Sequence, residues 1–228
     1  MSTKFSLKQQ HVDQIENVDE FLTYILLSYV CTGTTESLVT TPRCLYGSLM
    51  KTFDVKKSTI NSIAAGLEQL HNKNIIQVVS SGNLYLIDLQ ELLFKTGDVT
   101  ITIDSDEIKT ILESDIRNKN SLLMFYCKFI GCFLFSKKFN YSQKEWGYRV
   151  YCNLALGTLS AKLNVSVATI QKYINSLQNL QLIDIYKFKR YKNSSGEIVT
   201  IPNLYCRYHD RKNMTEIAKF IIKTKQTE

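Results

Sequence analysis

The chain has 228 residues, of which 44% are hydrophobic and 21% are charged, and this balance excludes an intrinsically disordered protein. Residues 1–115 contain 9 Lys and Arg against 15 Asp and Glu, a net charge of −6, whereas residues 116–228 contain 19 against 6, a net charge of +13. We therefore predict two domains, an acidic one over 1–115 and a basic one over 116–228, and the basic one suits a polyanionic partner.

In the acidic half, hydrophobic periodicity predicts helices followed by a β-hairpin. Residues 1–18 are polar and indicate a short arm or a first amphipathic helix. Apolar residues at helical spacing predict helices over 19–31, 43–53 and 57–72, and runs bounded by turn residues predict strands over 75–79 and 84–89. The sequence Ser80-Ser81-Gly82-Asn83 between the two strands is typical of a hairpin turn.

The segment 97–115 predicts a short strand and then an acidic helix. Asp104, Asp106 and Glu107 suit a helix N-terminus, because the backbone dipole is positive there. The same carboxylates offer a metal-site interpretation, but a capped helix facing solvent is the favoured one.

The most hydrophobic run of the chain, residues 121–135, lies in a helix predicted over 120–138. The run contains Lys128 and is shorter than the roughly 20 apolar residues of a membrane span, so we expect a buried helix and no membrane partner. The start MSTKFSLKQQ lacks the apolar core of a signal peptide, and we predict a cytoplasmic protein. The loop 139–149 then leads into a predicted helix containing Val150 to Leu156.

Residues 154–201 have the pattern of two helices and a basic β-hairpin. Leu159 and Leu163 give the first helix an apolar edge, and Asn164 with Val165 supplies the turn. Ser166 is a good N-cap for a second helix over 166–180. A strand over 182–186, the turn 193–196 and a returning strand over 198–201 follow, and an amphipathic helix over 213–225 ends the chain. This is the pattern of a winged helix-turn-helix.

The second helix of this pattern offers polar side chains suited to base edges and phosphates. Gln and Asn can pair with adenine, and Ala or Val can contact a thymine methyl group. Alternation in Tyr186-Lys187-Phe188-Lys189 places both lysines on one strand face. The candidate DNA-binding residues are Ser166, Val167, Ala168, Gln171, Lys172 and Asn175 on the helix, and Lys187, Lys189, Arg190, Lys192 and Arg207 on the hairpin.

A nearly parallel pattern occurs in the acidic half. Phe53-Asp54-Val55, Thr59-Ile60, Leu67 and Leu70 correspond to Leu163-Asn164-Val165, Thr169-Ile170, Leu177 and Leu180 at a constant shift of 110 residues. The register breaks after the long helix, because the first copy needs three more residues to reach its strand. We therefore predict an α+β, mainly helical protein of two winged helix-turn-helix domains. The corresponding candidates in the first domain are Lys56, Lys57, Ser58, Asn61 and Ser62. A structural or dimerising role is as well supported for this acidic domain as DNA binding.

The stretch 120–208 resembles the plasmid and phage replication initiators and replisome organisers of low-GC Gram-positive bacteria, which use winged-helix DNA-binding domains. The residues that carry the resemblance are Leu159, Leu163, Val165-Ser166, Thr169-Ile170, Leu177, Leu180, Leu182-Ile183 and Pro202-Asn203-Leu204-Tyr205. The resemblance implies a homodimer in which one unit pairs protomers while both contact DNA, and recruitment of helicase or primase machinery.

An enzyme is not predicted, and neither is a cofactor or a metal. His11, His71 and His209 are far apart, and no His-x-His occurs that could hold a metal beside a tyrosine nucleophile. No G-x-x-x-x-G-K-[ST] loop for ATP and no G-x-S-x-G elbow is present. The six cysteines form no C-x-x-C pair, and most have apolar neighbours, so we interpret them as small hydrophobic residues.

The sequence therefore predicts site-specific binding of double-stranded DNA, with replication initiation on a plasmid, phage or other mobile element as the first hypothesis. A transcriptional or segregation regulator would use the same DNA contacts. A replisome protein-interaction module, in which the winged helices bind protein, is a third hypothesis.

Overall fold

The computed structural model describes residues 4–30, 36–52, 59–135, 149–192 and 196–227. The chain divides into two compact units, Met1–Lys128 and Phe129–Glu228. Both units are α+β, and the fold is mainly helical with small antiparallel sheets. Among the helices that the structure describes, none combines the length and the continuous apolar surface that a bilayer crossing requires.

Unit 1 contains two antiparallel sheets and most of the predicted helices. Strands β1 and β5 form a pair, and β2, β4 and β3 form a three-stranded sheet with β4 in the centre. The elements are β1 (Lys4–Lys8), α1 (Gln9–Gln14), α2 (Val18–Val30), β2 (Ser37–Thr40), α3 (Pro42–Thr52), α4 (Thr59–Asn72), β3 (Gln77–Ser81), β4 (Leu84–Asp88), β5 (Thr100–Asp104), α5 (Ser105–Leu112) and the start of α6 (Lys119–Gly131).

The N-terminal segment is part of the core of unit 1: the predicted short arm is wrong for β1, whereas the alternative, a first amphipathic helix, agrees with α1, in which His11 and Val12 are buried. Phe5 and Leu7 alternate with exposed residues along β1 and are buried. Lys8 is also buried; its Nζ pairs with an Asp98 carboxylate oxygen at 3.0 Å, and its backbone N–H donates to the Tyr24 hydroxyl at 3.0 Å. An ion pair and a hydrogen bond allow a polar segment to be buried.

Helices α2 and α4 approach closely at Gly66. A Cβ built on Gly66 would lie 2.1 Å from Thr23 Oγ1 and 2.7 Å from the backbone oxygen of Asp19. Ile63, Leu67 and Leu70 of α4 are buried on the same side of the helix. Glycine at position 66 therefore lets the two backbones pack at a distance that no side chain would allow.

Helix α5 begins as the sequence predicts. The Asp104 side chain accepts the backbone N–H of Glu107, and a Glu107 carboxylate oxygen accepts the backbone N–H of Asp104 at 3.0 Å. This reciprocal capping box accounts for Asp104 and Glu107 at the start of the helix. The predicted cap is confirmed, but Glu107 does not face solvent as predicted: it is buried, and its Oε1 accepts the Tyr126 hydroxyl at 2.7 Å.

Unit 2 is built around the antiparallel sheet β6-β7-β11-β8. The helix predicted to contain Val150 to Leu156 is wrong at its start, because Arg149–Cys152 is a strand that pairs with Leu204–Arg207. The elements are β6 (Leu134–Phe135), β7 (Arg149–Cys152), α7 (Leu156–Leu163), α8 (Val167–Asn179), β8 (Ile183–Tyr186), β9 (Tyr191–Lys192), β10 (Ile198–Val199), β11 (Leu204–Arg207) and α9 (Arg211–Thr227).

The basic hairpin is longer than predicted. The strand expected over 198–201 is Ile198–Val199, and it pairs with Tyr191–Lys192 near the tip. The strand that pairs with β8 is β11, which comes after Pro202 and places Leu204 opposite Tyr186. The turn predicted at 193–196 lies outside the described residues except for Gly196, which has a φ of +84°.

Both faces of the sheet in unit 2 are covered. On one face, Tyr205 meets the Phe129 ring of α6 edge to face, with centroids 5.5 Å apart. On the other face, Leu204 and Cys206 are buried together with Met214, Ile217 and Ala218 of α9. Helix α9 thus closes the second face of this sheet with the apolar side of an amphipathic helix.

The two units share one order of elements around their central strands. Each has a strand, two helices, a second strand and a returning strand that pairs with both earlier strands: β2-β4-β3 in unit 1 and β7-β11-β8 in unit 2, where β6 extends the sheet beyond β7. Asn74 and Gln181 take the same left-handed conformation after α4 and α8. The buried residues Ile63, Leu67 and Leu70 then match Ile170, Ile174 and Leu177, at a shift of 107 residues. The predicted shift of 110 is wrong by about one helical turn.

Candidate nucleic-acid interface

Helices α7 and α8 are joined by a tight turn that the sequence anticipates. Asn164 has a φ of 52°, and asparagine tolerates this left-handed conformation better than most residues. The Ser166 Oγ accepts the backbone N–H of Thr169 at 3.2 Å and lies 2.9 Å from the Thr169 hydroxyl. The predicted N-cap at Ser166 is confirmed, and it fixes where α8 begins.

Helix α8 separates into a buried face and an exposed face. Ile170, Ile174 and Leu177 are buried, which fixes the helix against the core of unit 2. The exposed side carries every predicted reading residue of this helix: Ser166, Val167, Ala168, Gln171, Lys172 and Asn175. The structure therefore brings these six side chains together on one accessible surface.

Two of the amide side chains on this surface are already paired. The Gln171 Nε2 donates to Asn175 Oδ1 at 3.0 Å, one helical turn away. This pairing was missed in the sequence, although the i, i+4 spacing of Gln and Asn was the signal for it. The bond restrains two flexible side chains and leaves Gln171 Oε1 as an acceptor and Asn175 Nδ2 as a donor.

The basic segment after β8 presents its cations to solvent. Lys187, Lys189 and Arg190 are exposed, whereas Tyr186 and Phe188 pack against the buried cluster under α9. The alternation of exposed lysines with packed aromatic rings is confirmed, but β8 ends at Tyr186, so Lys187 and Lys189 do not lie on a strand face as predicted. In the part of the chain that the structure describes, no carboxylate pairs with Lys172, Lys187, Lys189 or Arg190. The Lys192 side chain lies outside the described residues.

Arg207 is a correction to the predicted set. It stands in β11 opposite Ile183 and is only 2% exposed, so it cannot offer its guanidinium group to a phosphate on the surface. All four residues of β11, 204–207, are buried, so both faces of this strand are covered. The sequence around Arg207 does not show that the second face is covered. Arg207 is therefore a core residue of unit 2.

The corresponding helix of unit 1 presents a different surface. With the shift of 107, the exposed residues Asn61, Ala65 and Glu68 of α4 match Ala168, Lys172 and Asn175 of α8. In unit 1, Glu68 thus stands in place of Asn175 and Ala65 in place of Lys172. The Glu68 carboxylate would repel a DNA phosphate. Ser62 is half-buried, and Lys56, Lys57 and Ser58 lie outside the described residues.

The cysteines provide no reactive group in this region. Cys127, Cys132, Cys152 and Cys206 are buried, and Cys44 is exposed. Burial raises the pKa of the Cys152 and Cys206 thiols to about 12, so both are neutral near pH 7. Across the described residues, no three His, Cys, Asp or Glu side chains converge as they would around a metal ion.

A comparison of the chain with protein-family models and with curated proteins finds no match.

Proposed function

We propose that both units are winged-helix modules and that unit 2 binds double-stranded DNA site-specifically. Helix α8 enters the major groove, and the exposed cations of the segment 187–190 lie along the DNA backbone. The observation that carries the proposal is the exposed surface of α8, where an amide pair and Lys172 stand outward above a fully buried apolar face.

The division of labour on this surface follows from side-chain chemistry. Gln171 and Asn175 have the donors and acceptors that distinguish base pairs in the major groove. Lys187, Lys189 and Arg190 are exposed cations on the segment after β8, and such groups contact phosphates with little regard to sequence. Specificity is therefore assigned to α8 and much of the affinity to the basic segment.

The shared order of elements supports the winged-helix proposal for both units. In each, two helices precede a strand that pairs with a returning central strand, which also pairs with a strand that comes before the helices. This arrangement agrees with the helix-turn-helix and basic hairpin that the sequence predicts. In unit 1, Glu68 stands at the position of Asn175, so we assign DNA reading to unit 2.

The biological role that we propose is replication initiation on a plasmid, phage or mobile element, with a homodimer at the origin that gathers helicase or primase machinery. This role rests on the resemblance of residues 120–208 to replication initiators. Binding to repeated origin sites with origin melting or helicase recruitment would support it. Promoter occupancy without an effect on plasmid maintenance would instead indicate a transcriptional regulator.

The direct test is selection of bound duplexes from random DNA and from host-element DNA, using the full chain. We expect one short sequence to be enriched, and we expect its binding to weaken steeply with added salt. The Asn175→Ala variant should enrich a more degenerate sequence than the wild type. If the wild type enriches no sequence and shows no salt-sensitive binding, unit 2 is not a DNA-binding module.

A further inference from the structure

The three-stranded sheet of unit 1 has an uncovered apolar face. Val39, Leu86 and Val79 lie side by side across β2, β4 and β3, because both edge residues pair with Leu86 in the antiparallel register. Leu84 stands two residues before Leu86 and so points to the same side. These four side chains, the bare face, are 61%, 47%, 66% and 49% exposed for Val39, Leu86, Val79 and Leu84 respectively.

This exposure is unusual for a sheet of such composition. Ile87, the residue after Leu86 in β4, points to the opposite side of the sheet and is fully buried. Only that side of the sheet therefore packs on the core. An antiparallel sheet with one solvated face normally carries polar residues there. A contiguous row of Val and Leu in the same position is typical of an interaction site.

Unit 2 shows what covers the equivalent face. There the central strand β11 presents Leu204 and Cys206 to α9, and Met214, Ile217 and Ala218 of that helix are buried against them. In unit 1 the bare face lies on the side of β4 opposite buried Ile87. In unit 2 the face covered by α9 lies on the side of β11 opposite buried Tyr205. The chain thus contains two equivalent sheet faces that can bind a helix: the one in unit 2 is covered by α9, and the one in unit 1 is exposed. We call such a face a helix seat.

We propose that the bare face of unit 1 binds an amphipathic, cationic helix of a partner protein. The shape and chemistry of the seat are those that α9 satisfies in unit 2. The charge also fits a cationic helix: unit 1 holds 12 Lys and Arg against 15 Asp and Glu over residues 1–128, a net charge of −3, and Asp88 lies on the bare face itself, opposite Ser37 and Gln77. Glu36, exposed beside Ser37, adds a second carboxylate at that end of the sheet.

Helix α9 provides a defined probe for this seat. The peptide 211–227 carries 5 Lys and Arg against 1 Glu and has the apolar residues that fill the equivalent face in unit 2. Labelled with a fluorophore, it is titrated with the full chain, and a scrambled peptide of the same composition serves as the control. We expect the ordered sequence to bind and the scrambled one to fail.

Two matched variants locate the binding site. Leu86→Lys places a charge in the centre of the bare face and should weaken peptide binding by on the order of tenfold or more. Val99→Lys introduces the same charge at a side chain of unit 1 that is 50% exposed and outside this sheet, so it should leave binding unchanged. Val79→Thr, which keeps the β-branched shape, should weaken binding in the same direction if Leu86→Lys does not fold.

The outcomes are distinct from those of the DNA-binding proposal. Peptide binding that is unaffected by Leu86→Lys and Val79→Thr, or absent, overturns the helix seat, whatever the DNA affinity. Concentration-dependent dimerisation of the full chain that Leu86→Lys abolishes, together with exclusion of the peptide, would show that a second copy occupies this face and would also overturn the proposal. Both variants should retain wild-type DNA binding through unit 2.

Discussion

At the residue scale, position within an element decides what each charged or amide side chain can do. Lys172 and Asn175 are exposed because three neighbours on α8 are buried, whereas Arg207 is buried because its strand lies within the sheet. The sequence predicts the first outcome, since helical periodicity assigns faces directly. It could not predict the second, because a strand covered on both faces by α6 and α9 leaves no polar side for an arginine.

Removing single side chains from α8 should separate base reading from phosphate contact. We expect Asn175→Ala to weaken binding at the cognate site by about 1–3 kcal/mol and to relax the sequence preference, because a base-edge contact is lost. Gln178→Ala, an exposed amide outside the proposed reading set, is the control and should change neither property. Affinities for the selected duplex and its point variants measure both effects. Equal losses for the two variants would rule out Asn175 as a reading residue.

Protonation of a buried histidine should make unit 1 sensitive to acid. Burial, assisted by the charge of Lys8, lowers the pKa of His11 to about 4 from 6.5, and none of the described residues forms a hydrogen bond with its buried Nδ1. Between these two values the unfolded chain binds a proton that the folded chain excludes. The stability contributed by neutral His11 is therefore complete above pH 6.5 and is lost as the pH falls towards 4.

The comparison that isolates this effect uses His11→Phe, which preserves a ring beside Tyr24, where the centroids are now 5.7 Å apart. The free energy of unfolding, measured in urea at pH 7 and at pH 4.5, should fall less for the variant than for the wild type. An identical fall in both proteins would show that another group titrates.

At the element scale, the sequence identifies helices well and their register poorly. Leu67 and Leu70 match Leu177 and Leu180 as readily as they match Ile174 and Leu177, because an apolar stripe nearly repeats after three or four residues. Only the backbone resolves the choice, through the left-handed residues Asn74 and Gln181 that end the two helices. The same limit explains β7: a short run such as Arg149–Cys152 pairs with β11 from far along the chain, which local periodicity cannot reveal.

The close packing of α2 and α4 should depend on the absence of a side chain at position 66. Gly66→Ala should destabilise unit 1 by about 1–3 kcal/mol, because the Asp19 carbonyl belongs to the backbone and cannot rotate away. Gly47→Ala in α3 is the matched control: its Cβ would meet nothing within 4 Å, and helix propensity favours alanine by up to about 1 kcal/mol. Urea unfolding followed by circular dichroism distinguishes the two. A neutral Gly66→Ala would mean that α2 shifts freely.

At the scale of the whole molecule, charge and topology assign different tasks to two units with a common order of elements. Unit 2, residues 129–228, carries a net charge of +10 and presents amides and cations on α8 and after β8, whereas unit 1, residues 1–128, carries −3 and has Glu68 on the corresponding helix. Unit 1 also keeps an apolar sheet face uncovered, whereas α9 covers the equivalent face in unit 2. The charge division was predictable from the sequence, but the bare face was not, since it depends on which strands pair.

The most direct test of DNA binding by unit 2 is the salt dependence of affinity for a selected duplex. The triple variant Lys187→Ala, Lys189→Ala, Arg190→Ala is compared with a variant of equal charge on α9, Lys212→Ala, Lys219→Ala, Lys223→Ala. Each lost phosphate contact lowers the slope of log affinity against log salt by about 0.9, so the first variant should lose a slope of about 3 and the second should keep the wild-type slope. Equal slopes for both variants, or a wild type whose binding is indifferent to salt, would contradict the assignment of this surface to DNA.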